Sequence, residues 1–151
     1  MTSNFQEKTF YIIKPDGLKN TESIKRIILK SGLRIIISKK TVLVPDIIRF
    51  IYPDTEADLL EAHFKFMSNE ISEIGIIEGL NAIAKLVEIS GKDTNPNLCA
   101  SGTIRNRFGE KLGYKVGNAL YYKNVFHRSK NKLQAKREVD LFDRIKKQST
   151  Q

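Results

Sequence analysis

Apolar residues recur along this chain in two rhythms that take turns: β-branched runs bounded by turn residues, and helical spacings bounded by caps. Lys8-Thr9-Phe10-Tyr11-Ile12-Ile13-Lys14 is β-branched and aromatic and stops at Pro15-Asp16-Gly17, which predicts a strand running into a turn and loop. A helix follows, capped by Asn20 or Thr21, with Ile24, Ile27 and Ile28 on one face and Gly32 just beyond its end. Leu33 to Val44 predicts a second strand that ends at Pro45, with Asp46 placed to cap a short helix. Leu60, Phe64 and Met67 set a helix between Glu56 and Asn69, and Ile71, Ile74, Ile76 and Ile77 a third strand ending near Glu78-Gly79. Leu80, Ile83, Ala84 and Val87 form the stripe of another helix that stops at Gly91, after which Lys92 to Ser101 has no period and reads as an exposed loop. From Gly113 a glycine-punctuated loop leads into extended, aromatic Ala119 to Phe126, and Ser129 or Asn131 caps a last helix bearing Ala135, Val139 and Phe142.

Strands alternating with helices, without a repeat, a low-complexity tract or a linker, predict a single domain over residues 1–151 and an α/β sandwich with helices packed over one sheet. A chain of 151 residues is long enough for one core that buries roughly two thirds of the unfolded surface. The single cysteine, Cys99, excludes an internal disulfide and favours a reducing compartment, so the cytoplasm is the expected location. Met1 to Lys8 is polar, unlike a signal peptide, and no apolar run approaches the roughly eighteen residues of a membrane span. The expectation is a soluble protein with no membrane partner.

Charge narrows the partners. The net +9 favours an anionic ligand, and eight Lys or Arg against three Asp or Glu between Arg128 and Lys147 contribute +5 of it. The plainer interpretation of that stretch is a solvated helix face. A catalytic imidazole must come from one of two histidines. His63 lies inside an amphipathic helix, where a surface or core-edge role is ordinary, whereas His127 ends a short apolar strand and can be aimed into a cleft as nucleophile or base. Lys14, fixed by Pro15 at a strand end, can offer an ammonium to a phosphate. The segments Thr94-Asn95-Pro96 and Ser101-Gly102-Thr103-Ile104-Arg105 can converge hydroxyls, backbone N–H groups and a guanidinium on phosphate oxygens. There is neither a P-loop nor a zinc-ligand spacing, so no protein metal site is assigned and a metal would arrive with the substrate.

Taken together these segments resemble the nucleoside diphosphate kinase family, in the same order, from Thr9 to about Phe142. Thr-Phe-Tyr-Ile-Ile-Lys-Pro-Asp-Gly at 9–17 is similar to the family's first strand and Lys-Pro-Asp signature, which implies a catalytic and nucleotide-contacting role for Lys14. Thr94-Asn95-Pro96 with Gly102-Thr103-Ile104-Arg105 resembles the family's phosphate loop, implying contacts from Thr94 and Arg105. Asn124-Val125-Phe126-His127-Arg128-Ser129 resembles its Asn-x-x-His-x-Ser element. That likeness implies Asn124 at the ribose, His127 as nucleophile and Ser129 as supporting hydroxyl, with Glu138 orienting the histidine. Tyr52 falls where the family has a tyrosine near the phosphates, and Asp58-Leu59-Leu60-Glu61 where it has an aromatic base clamp, so Leu59 is the expected base contact.

The resemblance implies a ferredoxin-like βαββαβ antiparallel sheet with additional helices, a homo-hexamer or tetramer, and nucleoside di- and triphosphates bound with Mg²⁺. The implied reaction is γ-phosphoryl transfer between nucleotides through phospho-His127. Besides the non-aromatic Asp58-Leu59-Leu60-Glu61 and Ser68-Asn69-Glu70-Ile71 in place of the family's Ser-Gly-Pro turn, three features depart from the pattern. A second phosphate-binding arginine is replaced by Val87 or Glu88, with Lys85 or Lys92 as substitutes; a large Arg128 follows the histidine; and the segment from Arg105 to His127 is longer than the common pattern. These departures keep two other readings open: a catalytically weak nucleotide-binding or regulatory protein on the same fold, and a basic nucleic-acid-binding module that stacks bases on Tyr121, Tyr122 and Phe126.

Overall fold

The computed structural model describes residues 6–148; Met1 to Phe5, where the polar start of the chain was noted, lie outside the described residues. Five consecutive buried residues, Thr9 to Ile13, make the inner part of β1 (Gln6–Ile13) a central strand covered on both faces. Its alternating side chains feed two cores. Phe10 and Ile12 pack with Leu43, Ile48, Met67, Ile74 and Phe142 on one face, while Tyr11 and Ile13 pack with Ile24, Ile28, Leu86, Ile104 and Phe126 on the other. Tyr11 lies over Gly75 of β3 (Ile71–Leu80), its partner in register, where an added Cβ would sit 2.6 Å from the Tyr11 ring. A glycine is therefore required opposite that ring.

The sheet is antiparallel, in the order β2-β3-β1-β6, with β2 at Arg34–Val42 and β6 at Phe126–Arg128. Helix α1 (Thr21–Lys30) joins β1 to β2, and α4 (Ala82–Ser90) starts the return from β3 to β6. Each connection skips one strand, as in the ferredoxin-like arrangement. The additional helices are α2 (Pro45–Ile51), α3 (Ala57–Met67), α5 (Ile104–Phe108) and the long α6 (Lys132–Gln148). Among the described residues no helix is long and apolar enough to cross a membrane.

Local differences from the expected pattern have physical causes. Pro45 is the first residue of α2, as its fixed φ allows, so Asp46 sits in the first turn and is not the cap. Glu56 caps α3 by accepting from Asp58 N–H, and the buried stripe of that helix is Ala62, His63 and Met67, with Leu60 and Phe64 half-buried. In α4 the inward residues are Ala82, Ile83, Leu86 and Ser90, while Ala84 faces outward and Leu80, expected on the helix stripe, is the exposed last residue of β3. Asn131 caps α6 through Gln134 N–H, leaving Ser129 for another partner. Ala119 to Phe126 is not one strand: β4 (Tyr114–Val116) and β5 (Ala119–Tyr121) form a hairpin around Gly117-Asn118, with Gly117 at φ 59°. The hairpin is pinned to α3, where Asp58 accepts from Asn118 N–H at 2.8 Å.

Candidate active site

The turn after β1 and the turn before β6 hold each other in place. Lys14 N–H donates to Val125 O at 2.9 Å, and the Asp16 carboxylate accepts from Val125 N–H at 2.9 Å. Gly17 lets them approach, because a Cβ there would meet Val125 O at 2.7 Å. Val125 itself is at φ 67°, and Phe126 N–H donates to Asn124 O at 2.9 Å, a γ-turn of the rarer hand that costs on the order of 1–3 kcal/mol for a β-branched residue. Each residue of Lys-Pro-Asp-Gly thus has a local reason: Pro15 starts a short 3₁₀ turn, and the other three fix Val125. The result is that Lys14, Asn124 and His127 reach one cavity of about 490 Å³.

Lys14 is buried, and its ammonium donates to Asn124 Oδ1 at 2.8 Å; the Asn124 amide in turn donates to Thr94 O at 3.0 Å. Burial pulls the Lys14 pKa down to about 7, Asp16 opposes that, and Arg105 and Arg128 reinforce it. Arg105, one residue into α5, is buried and directs four hydrogen bonds at backbone carbonyls, two at Phe126 O and one each at Gly91 O and Asp93 O.

His127 is 5% exposed, and its Nε2 lies 3.0 and 3.1 Å from the two oxygens of Glu138. A carboxylate only accepts, so Nε2 carries the proton and Nδ1 keeps its lone pair. Burial lowers the His127 pKa against the opposing pull of Glu138, so the imidazole is neutral at neutral pH. Glu138 is held by three donors: His127, the Ser129 hydroxyl at 2.6 Å and the Gln134 amide at 3.0 Å. Burial alone would raise its pKa; His127 and these hydrogen bonds outweigh that and lower it. Glu138 and Ser129 stand behind the imidazole, and the other expected site residues, Lys14, Tyr52, Leu59, Thr94, Arg105, Asn124 and His127, all line the cavity.

Several residues on the wall were not assigned to this site from the sequence. His63, expected at a helix surface or core edge, is buried and stacked on Tyr52 with ring centroids 3.8 Å apart, and among the described residues its Nδ1 has no hydrogen-bond partner. The β4–β5 hairpin adds Leu120, Tyr121 and Tyr122, so the long Arg105–His127 segment supplies aromatic wall beside Leu59. The hydroxyls of Tyr52 and Tyr121 are buried without partners as well. Of the proposed arginine substitutes Lys92 lines the cavity, and Lys85, Val87 and Glu88 do not. Phe126 is fully buried and stacked on Tyr11, and Tyr121 is 2% exposed, so neither offers a face to a nucleic-acid base from outside.

The family model described as nucleoside diphosphate kinase matches residues 7–147. The nucleoside diphosphate kinase of Methylobacterium radiotolerans is 31% identical over 139 residues, covering 90% of this chain and 92% of that one. That of Ruegeria pomeroyi is 36% identical over 110 residues, covering 71% and 78%. Among solved structures, the Aquifex aeolicus nucleoside diphosphate kinase superposes with a TM-score of 0.75 at 26% identity, covering 91% of this chain and 95% of that one. The Borrelia burgdorferi enzyme, solved as a transition-state mimic with vanadate and ADP, gives 0.77 at 24% identity, covering 89% and 85%. With the family pattern spanning nearly every described residue and relatives above 30% identity over nine tenths of the chain, this protein belongs to the nucleoside diphosphate kinase family.

Proposed function

We propose that the chain is a nucleoside diphosphate kinase in which His127 carries the phosphoryl group between nucleotides. The observation that supports this is the imidazole itself: neutral, with Nε2–H held by Glu138 and the Nδ1 lone pair left for a cavity where Lys14, Lys92, Arg105 and Arg128 outnumber the carboxylate of Asp54. Nδ1 attacks the γ-phosphorus of a nucleoside triphosphate, the P–N bond forms, the bond to the β-phosphate oxygen breaks, and the diphosphate leaves with that electron pair. A terminal oxygen of a second nucleoside diphosphate then takes the group and restores the free imidazole. Glu138 offsets the positive charge that the ring gains, and Lys14 and Arg105 offset charge on the phosphate oxygens.

Among the described residues no three His, Cys, Asp or Glu side chains stand together as a metal cage, and Asp54 is the carboxylate on the cavity wall. That donor set fits Mg²⁺ held chiefly by the nucleotide's own phosphates, where it would neutralise charge as the phosphoryl group moves. The same reading makes the protein a cytoplasmic homo-oligomer. Ile36 and Val42 of the edge strand β2, Val44 just beyond it and Ile71 at the start of β3, apolar and about half exposed, support an assembly of copies.

Incubation with γ-³²P-labelled ATP tests the reading. The expected result is an acid-labile label that GDP removes as GTP, absent from His127→Ala and retained by His63→Ala. A label that survives acid, or one carried by His127→Ala, would overturn the assignment.

A further inference from the structure

Arg128 follows His127 on β6, so the two side chains leave the strand on opposite faces, His127 toward α6 and Arg128 toward the end of α4. There Arg128 Nε donates to Ser90 Oγ at 2.7 Å and Nη2 to Gly91 O at 3.0 Å. The side chain is 3% exposed and forms part of the wall of the catalytic cavity. Arg105 donates to the same Gly91 carbonyl, so two buried guanidinium groups meet at one oxygen. Neither has a carboxylate within ion-pair distance among the described residues.

A guanidinium has five N–H donors. Arg105 directs four hydrogen bonds at carbonyls, which leaves one donor, whereas Arg128 makes two and keeps three. Burying an unpaired cation beside another is costly, and an uncharged side chain would fill the gap between α4 and β6 without that cost. An anion of two or more charges in the cavity relieves the repulsion and takes up the spare donors together. On the reading of the preceding subsection, we propose that Arg128 is a second phosphate-contacting guanidinium, binding the phosphate chain of the nucleotide together with Arg105 and Lys14. It brings to the end of α4, from the opposing strand, the positive group that Val87 and Glu88 do not provide.

The competing role is purely structural: a cation closing the C-terminal end of α4, satisfied by Ser90 and Gly91 alone. The two roles differ in what they do to ligands with different numbers of phosphates. Binding of AMP, ADP and inorganic tripolyphosphate is measured by calorimetry on the parent, Arg128→Gln and Arg128→Lys. If Arg128 holds the phosphates, Arg128→Gln weakens ADP and tripolyphosphate tenfold or more and AMP distinctly less, and Arg128→Lys, with the charge but not the fork, falls between. Equal losses for all three ligands, or ADP and tripolyphosphate binding within twofold of the parent, would overturn the proposal. Arg128→Lys reads the same contrast should Arg128→Gln fail to fold. A parent that binds no ADP and transfers no phosphoryl group removes the functional reading beneath; a competent parent with an indifferent Arg128→Gln removes the role of Arg128 alone.

Discussion

Raising the pH from 7 to 8 should make nucleotide binding absorb a proton, and Lys14 is where the proton goes. In the empty cavity its pKa falls from the ordinary 10.5 to about 7, chiefly through burial, with Arg105 and Arg128 adding repulsion. At about 1.36 kcal/mol per pKa unit, holding the charge there costs roughly 5 kcal/mol relative to water. Among the described residues the ammonium's hydrogen-bond partner is the neutral Asn124 side chain. A di- or triphosphate in the cavity reverses the balance and favours the charged form. At pH 8 the empty site is then roughly nine-tenths neutral, and binding ADP takes up close to one proton; at pH 7 it takes up about half. Above pH 7 the affinity should drop by up to about tenfold per unit. Calorimetric titrations with ADP in two buffers of different ionisation enthalpy at pH 8, where ADP itself has no proton to give, read the uptake directly, and Lys14→Met should abolish it. Binding by the parent without proton uptake, or uptake that persists in Lys14→Met, would refute the reasoning. The folded protein without nucleotide follows the same linkage: between pH 7 and 10.5 the unfolded chain holds this proton and the folded one does not, so Lys14 makes stability rise with pH across that window.

Gly17→Ala should destabilise the fold by about 1–3 kcal/mol, because its Cβ meets the rigid Val125 carbonyl at 2.7 Å, and the melting temperature should fall by several degrees together with activity; an unchanged melting temperature would show that the turn can yield. Glu138→Gln removes a charged acceptor worth about 1.5–3 kcal/mol, so transfer should slow by roughly ten- to a hundredfold with nucleotide KM little changed. Since the Glu138 pKa is lowered on folding, the stability it contributes is present above the ordinary carboxylate range and lost as pH falls through it, and Glu138→Gln should flatten the acid limb of a melting-temperature profile.

What could be read from the sequence and what could not divides along physical lines. The central strand was legible because burial on both faces demands an unbroken apolar run, and the turn at Pro15-Asp16-Gly17 because few residues tolerate it. Strands separated by helices gave an α/β sandwich but not its strand order, and the antiparallel ferredoxin-like sheet came through the family resemblance. His127 and Lys14 were legible as strand-end residues, and their partners through the family resemblance. Helix α5 was missed because five residues give no period to detect, and the β4–β5 hairpin because strands of three residues show no alternation. His63 was set aside since a histidine on a helix carries the same signal facing water or a cavity. Arg128 was hidden for a similar reason: within a run of basic residues, one that turns inward cannot be told from those that do not. Gln134, whose amide holds Glu138, looked like any polar residue in the first turn of a helix.

The mutual clamp between the Lys14 turn and Val125 also fixes when, in the life of the molecule, the site can exist. The bond from Val125 N–H to Asp16 spans 109 residues, and Glu138 lies further on still. Closing a loop of that length precedes any reward from it. The left-handed Val125, the buried Lys14 and the shielded His127 therefore arise together, when β6 docks on the free edge of β1. A nascent chain still lacking β6 contains Lys14, Tyr52, Thr94 and Arg105 but not the clamp that sets them around one cavity, and the site waits for the last strand to arrive.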